Sequence, residues 1–218
     1  MKKNLNMIIS VFVSVALVFV IGVFAYKNIE LKPETVSATQ ASVVEIKAFD
    51  WSTGGSASKV TVVEYLDFEC EACGAYYPTV ERLKKEYGDS VTFVVRYFPL
   101  PGHRNSRTAA YAAEAAGKQG KFWEMYNILF TKQREWSEQK VANQSQFEKY
   151  AQEAGVDIVQ WKKDVASAEV KKRVNDSYEE AKNLQLTQTP SFFVNGAKIQ
   201  NPRGYDAFKK LIDAELAK

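Results

Sequence analysis

Cys70 and Cys73 are the only cysteines in a chain of 218 residues, and they sit where one hydrophobic pattern gives way to another. Ahead of them, Val60-Thr61-Val62-Val63-Glu64-Tyr65-Leu66 is rich in β-branched and aromatic residues and almost continuously apolar. That is the signature of a strand buried on both faces, hence a central one. Behind them, Gly74 to Tyr87 carries Tyr77, Val80, Leu83, Lys84 and Tyr87 at helical spacing. Cys70 is therefore expected at or near a helix N-terminus. There the unpaired amide N–H groups and the positive end of the helix dipole favour a thiolate, the form that attacks a disulfide. Two intervening residues on the first turn bring Cys73 round to within bonding distance of Cys70.

Three chemistries compete for such a pair. Half a zinc site is one, but the single histidine, His103, and the absence of a second cysteine pair mean that a tetrahedral site would need two chains. No metal or cofactor is expected. A static disulfide is another, yet so short a loop gains little chain entropy from closure. A pair that cycles between dithiol and disulfide accounts for strand, tight turn, cysteines and helix occurring together.

Glu64 lies inside the apolar strand, six residues before Cys70. A carboxylate there costs several kcal/mol if ionised without a partner, so its pKa is expected to rise. A raised carboxyl near the pair suits a base that accepts, directly or through one water, the proton Cys73 must lose to attack a mixed disulfide. The competing reading turns Glu64 to a strand end, where water solvates it.

The N-terminus reads differently. Met7 to Ala25 runs 19 residues without a charge, after Lys2 and Lys3 and before Lys27, Glu30 and Lys32. That length nearly crosses the hydrocarbon core and exceeds the apolar stretch of most secretory signals, so a retained transmembrane anchor is favoured. Val23-Phe24-Ala25 would also serve as a cleavage site, which would release a secreted form. The flanking lysines place the short side in the cytoplasm and everything from about residue 26 outside. Losing residues 1–25 removes two of the 29 basic residues and none of the 26 acidic ones, so the formal charge falls from +3 to +1. No nucleic-acid partner is expected from that balance. Residues 26–55 read as a tether plus a first outer strand at Val43 to Ala48, with Ser52 to Ser58 breaking the chain before the main body.

Four segments, in this order, resemble the DsbA family of thiol:disulfide oxidoreductases: Val62 to Cys73, Tyr97-Phe98-Pro99-Leu100-Pro101-Gly102-His103, Gly120-Lys121-Phe122-Trp123-Glu124-Met125-Tyr126, and Thr189-Pro190-Ser191-Phe192-Phe193-Val194-Asn195-Gly196. The resemblance covers roughly residues 56–218. It implies an α/β, thioredoxin-like fold with an inserted all-helical subdomain at about 103–185, preceded here by the N-terminal transmembrane helix. By the same likeness Cys70 is the exposed nucleophile, Cys73 the resolving thiol and Glu64 the buried acid. Pro190 is a cis-proline facing the pair, and Thr189 pairs its backbone with bound peptide.

The residues support parts of this independently. Ser191 to Val194 is a short apolar strand ended by Asn195-Gly196, a strong hairpin turn signal, and a proline is tolerated at a strand entrance. Helical patterning fills the stretch between Phe98 and Pro190: alanine-rich Thr108 to Gly117, then Phe122, Trp123, Tyr126, Leu129 and Phe130 at helical intervals. A capping-box pattern, Ser145-Gln146-Phe147-Glu148, opens a further helix through Ala154. Val156 to Ala168, Glu169 to Leu184 and, at the end of the chain, Tyr205 to Ala217 complete the set. The aromatic stripe is core rather than a cofactor site. His103, in a Pro-Gly loop, is expected to be solvated.

One departure bears on direction. Glu71-Ala72 stands between the cysteines where many relatives carry Pro or His. With Asp67, Glu69 and Glu71 nearby, the Cys70 pKa is expected to rise and the pair to be a middling oxidant. The expected activity is extracytoplasmic oxidation of exported proteins with free cysteines, with reoxidation by a membrane quinone-linked thiol oxidase, the enzyme acting as a monomer. A reductase, an isomerase, and a non-catalytic chaperone or binding module remain alternatives on the same fold.

Overall fold

Five of the seven residues of Val60–Leu66 are β-branched or aromatic, and they form the strand expected of them, β2. It lies third in a five-stranded sheet of order β1-β3-β2-β4-β5 in this computed structural model, which describes residues 43, 45–47, 50–55, 57–137, 139 and 144–218. β3 (Val91–Tyr97) runs parallel to β2, while β4 (Ser191–Val194) is antiparallel to it. β1 (Trp51–Thr53) and β5 (Ala197–Lys198) close the two edges, each antiparallel to its neighbour. Side chains of a strand alternate between its faces. Val60 and Val62 accordingly pack with Phe93 and Phe192 beneath α1 (Glu71–Tyr87) and α8 (Tyr205–Leu216). Val63 and Tyr65 pack with Val94 and Phe193 on the other face, against Ala181 of α7 (Ala168–Asn183). Helices on both faces explain why β2 is nearly continuous in hydrophobicity rather than alternating.

The insertion runs from α2 (Ser106–Gly117) through α3 (Phe122–Thr131), α4 (Gln133–Trp136), α5 (Gln144–Ala154), α6 (Ile158–Ala166) and α7. Ala109, Ala110, Ala112, Ala113, Ala115 and Ala116 of α2 are all buried, and their small side chains let α3, α5, α6 and α7 pack around it. Phe122, Tyr126, Leu129 and Phe130 of α3 are core, as their spacing suggests. Asn195 and Gly196 both take positive φ, 47° and 79°, in the hairpin between β4 and β5.

Three expectations need correcting. The outer strand falls within 26–55, but it is Trp51–Thr53. Among the described residues Val43 and 45–47 are not strand. The Val43 and Glu45 carbonyls accept hydrogen bonds from Arg96, at 3.3 and 2.8 Å, instead of joining the ladder. Arg96 is 1% exposed and also grips Asp50 at 2.6 Å, which fixes the approach to β1. Trp51 then stacks on Phe122 at 4.7 Å and donates to Glu114. Ser145 does not open its helix, since α5 already begins at Gln144. Asp157, accepting from Gln160 N–H, and Ser167, accepting from Val170 N–H, cap the next two helices. Finally, β3 and α4 are elements that periodicity did not single out. The charge-free run Met7 to Ala25 and the tether to Ala41 lie outside the described residues. Among those described, no helix is long and apolar enough to cross a membrane.

Candidate active site

Past Leu66 the chain leaves the sheet and turns directly into α1. Cys70 is the N-cap residue of that helix, with extended dihedrals, and its N–H donates to the Asp67 carbonyl at 3.1 Å. Cys73 lies one turn on, 1% exposed, against 8% for Cys70. Both are free thiols. The Cys70 thiol is pulled down to about 5, first by a hydrogen bond with the Cys73 side chain. Burial opposes that shift, and the Thr189 side chain and the N–H groups of Cys73 and Ala72 add to it. Burial pushes the Cys73 thiol well above its usual range, and the neighbouring Cys70 pushes it further.

The acidic residues before the pair do not act as their composition suggested. Asp67 turns inward, accepting from Glu69 N–H at 2.8 Å, Leu100 N–H at 2.9 Å and Ser106 Oγ–H at 2.5 Å. Glu69 is likewise buried, and accepts from Asn105 N–H at 2.6 Å. Their lone pairs are directed into the fold, while the amide donors of the first helical turn reach the sulfur. The Cys70 pKa therefore falls where the local charge count implied a rise. Alkylation of the reduced protein with iodoacetamide should then show a Cys70 midpoint near pH 5. A midpoint near the 8.5 of an ordinary cysteine would contradict it.

Glu64 is 5% exposed within β2, so it is not a solvated strand end. Alternation puts it on the face of Val62, under α1. Burial raises its carboxyl to about 8, against a lowering by the Lys84 ammonium and with a further push from Glu81. A narrow cavity at Glu64 is walled by Lys84, Trp123 and Tyr126. Glu64 Oε2 has no hydrogen-bond partner. Both groups are buried, and the charge of Glu64 adds to the rise at Cys73.

The Thr189–Pro190 bond is cis, and it faces the pair: Cys70 Sγ lies 3.4 Å from the Thr189 carbonyl oxygen. Thr189 is buried. His103 does have a partner. Its Nδ1 is 2.6 Å from Asp67 Oδ2. Burial lowers its pKa, but Asp67 and the charge of Cys70 raise it on balance. Sequence reasoning missed the polar residues that brace the site. Gln133 Nε2 donates to the Phe68 and Cys70 carbonyls, both at 2.8 Å. Asn201 Nδ2 donates to the Pro190 carbonyl at 2.7 Å, and Tyr76 OH to the Pro202 carbonyl at 2.8 Å. Single amides in helix turns and loops carry no pattern that could have revealed them. Among the described residues no cluster of His, Cys, Asp or Glu is arranged to hold a metal.

A family model described as thioredoxin matches residues 49–214. The chain is also 35% identical to a probable disulfide bond formation protein D of Bacillus cereus, over the full length of both. The chain belongs to the DsbA-like, thioredoxin-fold family of oxidoreductases. The crystal structure of oxidised BdbD from Bacillus subtilis superposes with a TM-score of 0.69 at 25% identity, covering 78% of this chain and 94% of that one. A third relative, a Na(+)/H(+) antiporter NhaA 1 of Mycolicibacterium gilvum, is 39% identical over 158 residues. That match takes in 70% of this chain, which spans only 24% of the antiporter's length. In proteins of the DsbA-like family the cysteine pair is itself the redox group, so electrons need no separate cofactor.

Proposed function

We propose that the chain is an extracytoplasmic oxidase that donates the Cys70–Cys73 disulfide to exported proteins carrying free cysteines. The observation that carries this reading is the asymmetry of the pair: one sulfur with its pKa lowered to about 5 at a helix N-cap, the other buried with its pKa raised. A substrate thiolate attacks Cys70 Sγ, forming a mixed disulfide and expelling Cys73 as a thiolate. Glu64, protonated at neutral pH, supplies the proton that neutralises Cys73. A second substrate thiolate then attacks the substrate sulfur of the mixed disulfide and expels Cys70 as a thiolate. Two electrons end on the enzyme and one disulfide on the client; the proton on Cys73 has come from Glu64, whose carboxylate takes a replacement from solvent. Stabilisation of the Cys70 thiolate makes the reduced form the more stable and the disulfide the stronger oxidant. This favours oxidation over the reductase and isomerase alternatives, and it argues for a stronger oxidant than the acidic residues suggested.

In this reading Thr189 and Pro190 offer the backbone edge on which an extended client segment lies beside Cys70. Met7–Ala25 anchors the monomeric enzyme in the membrane, or is cut at Val23-Phe24-Ala25 to release it. A quinone-linked membrane thiol oxidase takes the electrons from the reduced pair. Equilibration of the domain from residue 42 onward in glutathione buffers tests the direction. A reduction potential of roughly −120 to −180 mV is expected; one near thioredoxin's, about −270 mV, would instead mark a reductant-fed enzyme.

A further inference from the structure

Gln133 lies 63 residues beyond Cys70, on the four-residue helix α4 inside the insertion, and is 8% exposed. Its single side-chain nitrogen donates to two main-chain carbonyls of the catalytic turn, Phe68 and Cys70, each at 2.8 Å. The Cys70 carbonyl also accepts the first helical bond of α1, from Gly74 N–H at 3.1 Å. Gln133 therefore grips the peptide group at which the helix begins, the group that sets where the Ala72 and Cys73 N–H donors point. The fit is close on the other side too. A Cβ on Gly74 would come within 2.2 Å of Gln133 Oε1, so only glycine leaves room for the amide. A second strut runs parallel to it: Asn105 joins Glu69 to the Trp136 and Gln139 carbonyls, at 3.1 Å each.

We propose that Gln133 is a positioning residue for the thiolate. Through it the inserted subdomain holds the first turn of α1 in the geometry that lowers the Cys70 pKa. The insertion then has a part in the chemistry. This rests on the redox reading of the pair. Without Gln133 the Phe68 carbonyl loses its donor in a buried place, and the turn is free to relax away from the sulfur.

The test follows the absorbance of the Cys70 thiolate at 240 nm against pH in the reduced protein, alongside the glutathione equilibrium. Gln133→Leu fills a similar volume with no donor. It is expected to raise the Cys70 midpoint by about one pH unit, and to weaken oxidation of glutathione about tenfold at pH 7, about 30 mV. Gln133→Asn, whose amide falls short of the carbonyls, should shift it likewise and serves if the leucine variant does not fold. Gly74→Ala, which displaces the same amide, should raise the midpoint too, and combined with Gln133→Leu add little further shift. Trp136→Phe is the control: it removes a side-chain bond from the same short helix α4 to the Leu129 carbonyl of α3, and should cost stability without moving the midpoint. An unchanged midpoint in both Gln133 variants overturns the proposal, and so does an equal shift in Trp136→Phe. Loss of the oxidase reading would show instead as a wild-type protein that exchanges no disulfides. The titration still reports on Gln133 in that case.

Discussion

Cys73→Ala is expected to convert the protein from a catalyst into a trap. Turnover of disulfides should fall to the uncatalysed rate, and a stable mixed disulfide through Cys70 should accumulate with any disulfide-bearing client or with oxidised glutathione, the other sulfur leaving as a thiolate. The two sulfurs are not equivalent. Cys70 is the N-cap residue, in reach of a substrate lying along Thr189, while Cys73 is 1% exposed with its thiol held protonated by burial. Only Cys73 can release a captured partner from within the protein. Cys70→Ala should abolish turnover too, but without capture, because the buried Cys73 is both inaccessible and a poor thiolate. Non-reducing electrophoresis of the two variants after exposure to an unfolded client that still carries a disulfide separates them. Capture by the Cys70→Ala protein, or full activity in either variant, would reverse the assignment.

Glu64→Gln should flatten the pH dependence of stability and slow proton exchange with Cys73. The folded carboxyl is raised to about 8 from a reference value of 4.5. Below about pH 4.5 it is protonated in both folded and unfolded chains. Between there and pH 8 the unfolded chain gives up a proton that the folded chain keeps, so stability declines as pH rises. The loss is about 1.4 kcal/mol per pH unit, on the order of 5 kcal/mol by pH 8, and it levels off above that. Urea unfolding of the oxidised protein, in which neither cysteine titrates, should show this decline in the wild type and its near absence in Glu64→Gln. Parallel curves for the two would mean that Glu64 is already ionised in the fold. In stopped-flow reduction of the Cys70–Cys73 disulfide, the variant should be slower by about a hundredfold where leaving of Cys73 limits the rate. Gln at 64 thus exchanges catalysis for stability.

Several parts of this molecule were legible in its residues because the physics there is local. A β-branched run ending in a cysteine pair and followed by a helical stripe fixes the catalytic turn, whatever lies around it. A charged residue within such a run is either buried with a raised pKa or solvated at the strand end, and the packing of β2 under α1 decides for burial of Glu64. Asn195-Gly196 needs positive φ, and Ala-rich and aromatic spacings need helices. Short or irregular pieces were not legible: the outer strand moved from Val43–Ala48 to Trp51–Thr53 because Arg96, remote in sequence, took the carbonyls of Val43 and Glu45.

The sequence by itself determined the chemistry available, a Cys70–Cys73 pair at a helix start with Glu64 beneath it, since those depend on neighbours along the chain. Tertiary structure alone decided how strongly that chemistry is biased. Counting Asp67, Glu69 and Glu71 beside Cys70 gave the wrong sign, because the carboxyls of Asp67 and Glu69 are spent on donors brought from residues 100–106. The Thr189 carbonyl and the Gln133 amide reach the turn from far along the chain. Electrostatics at a sulfur depends on which dipoles point at it within a few ångströms, and that orientation exists only once the chain has closed.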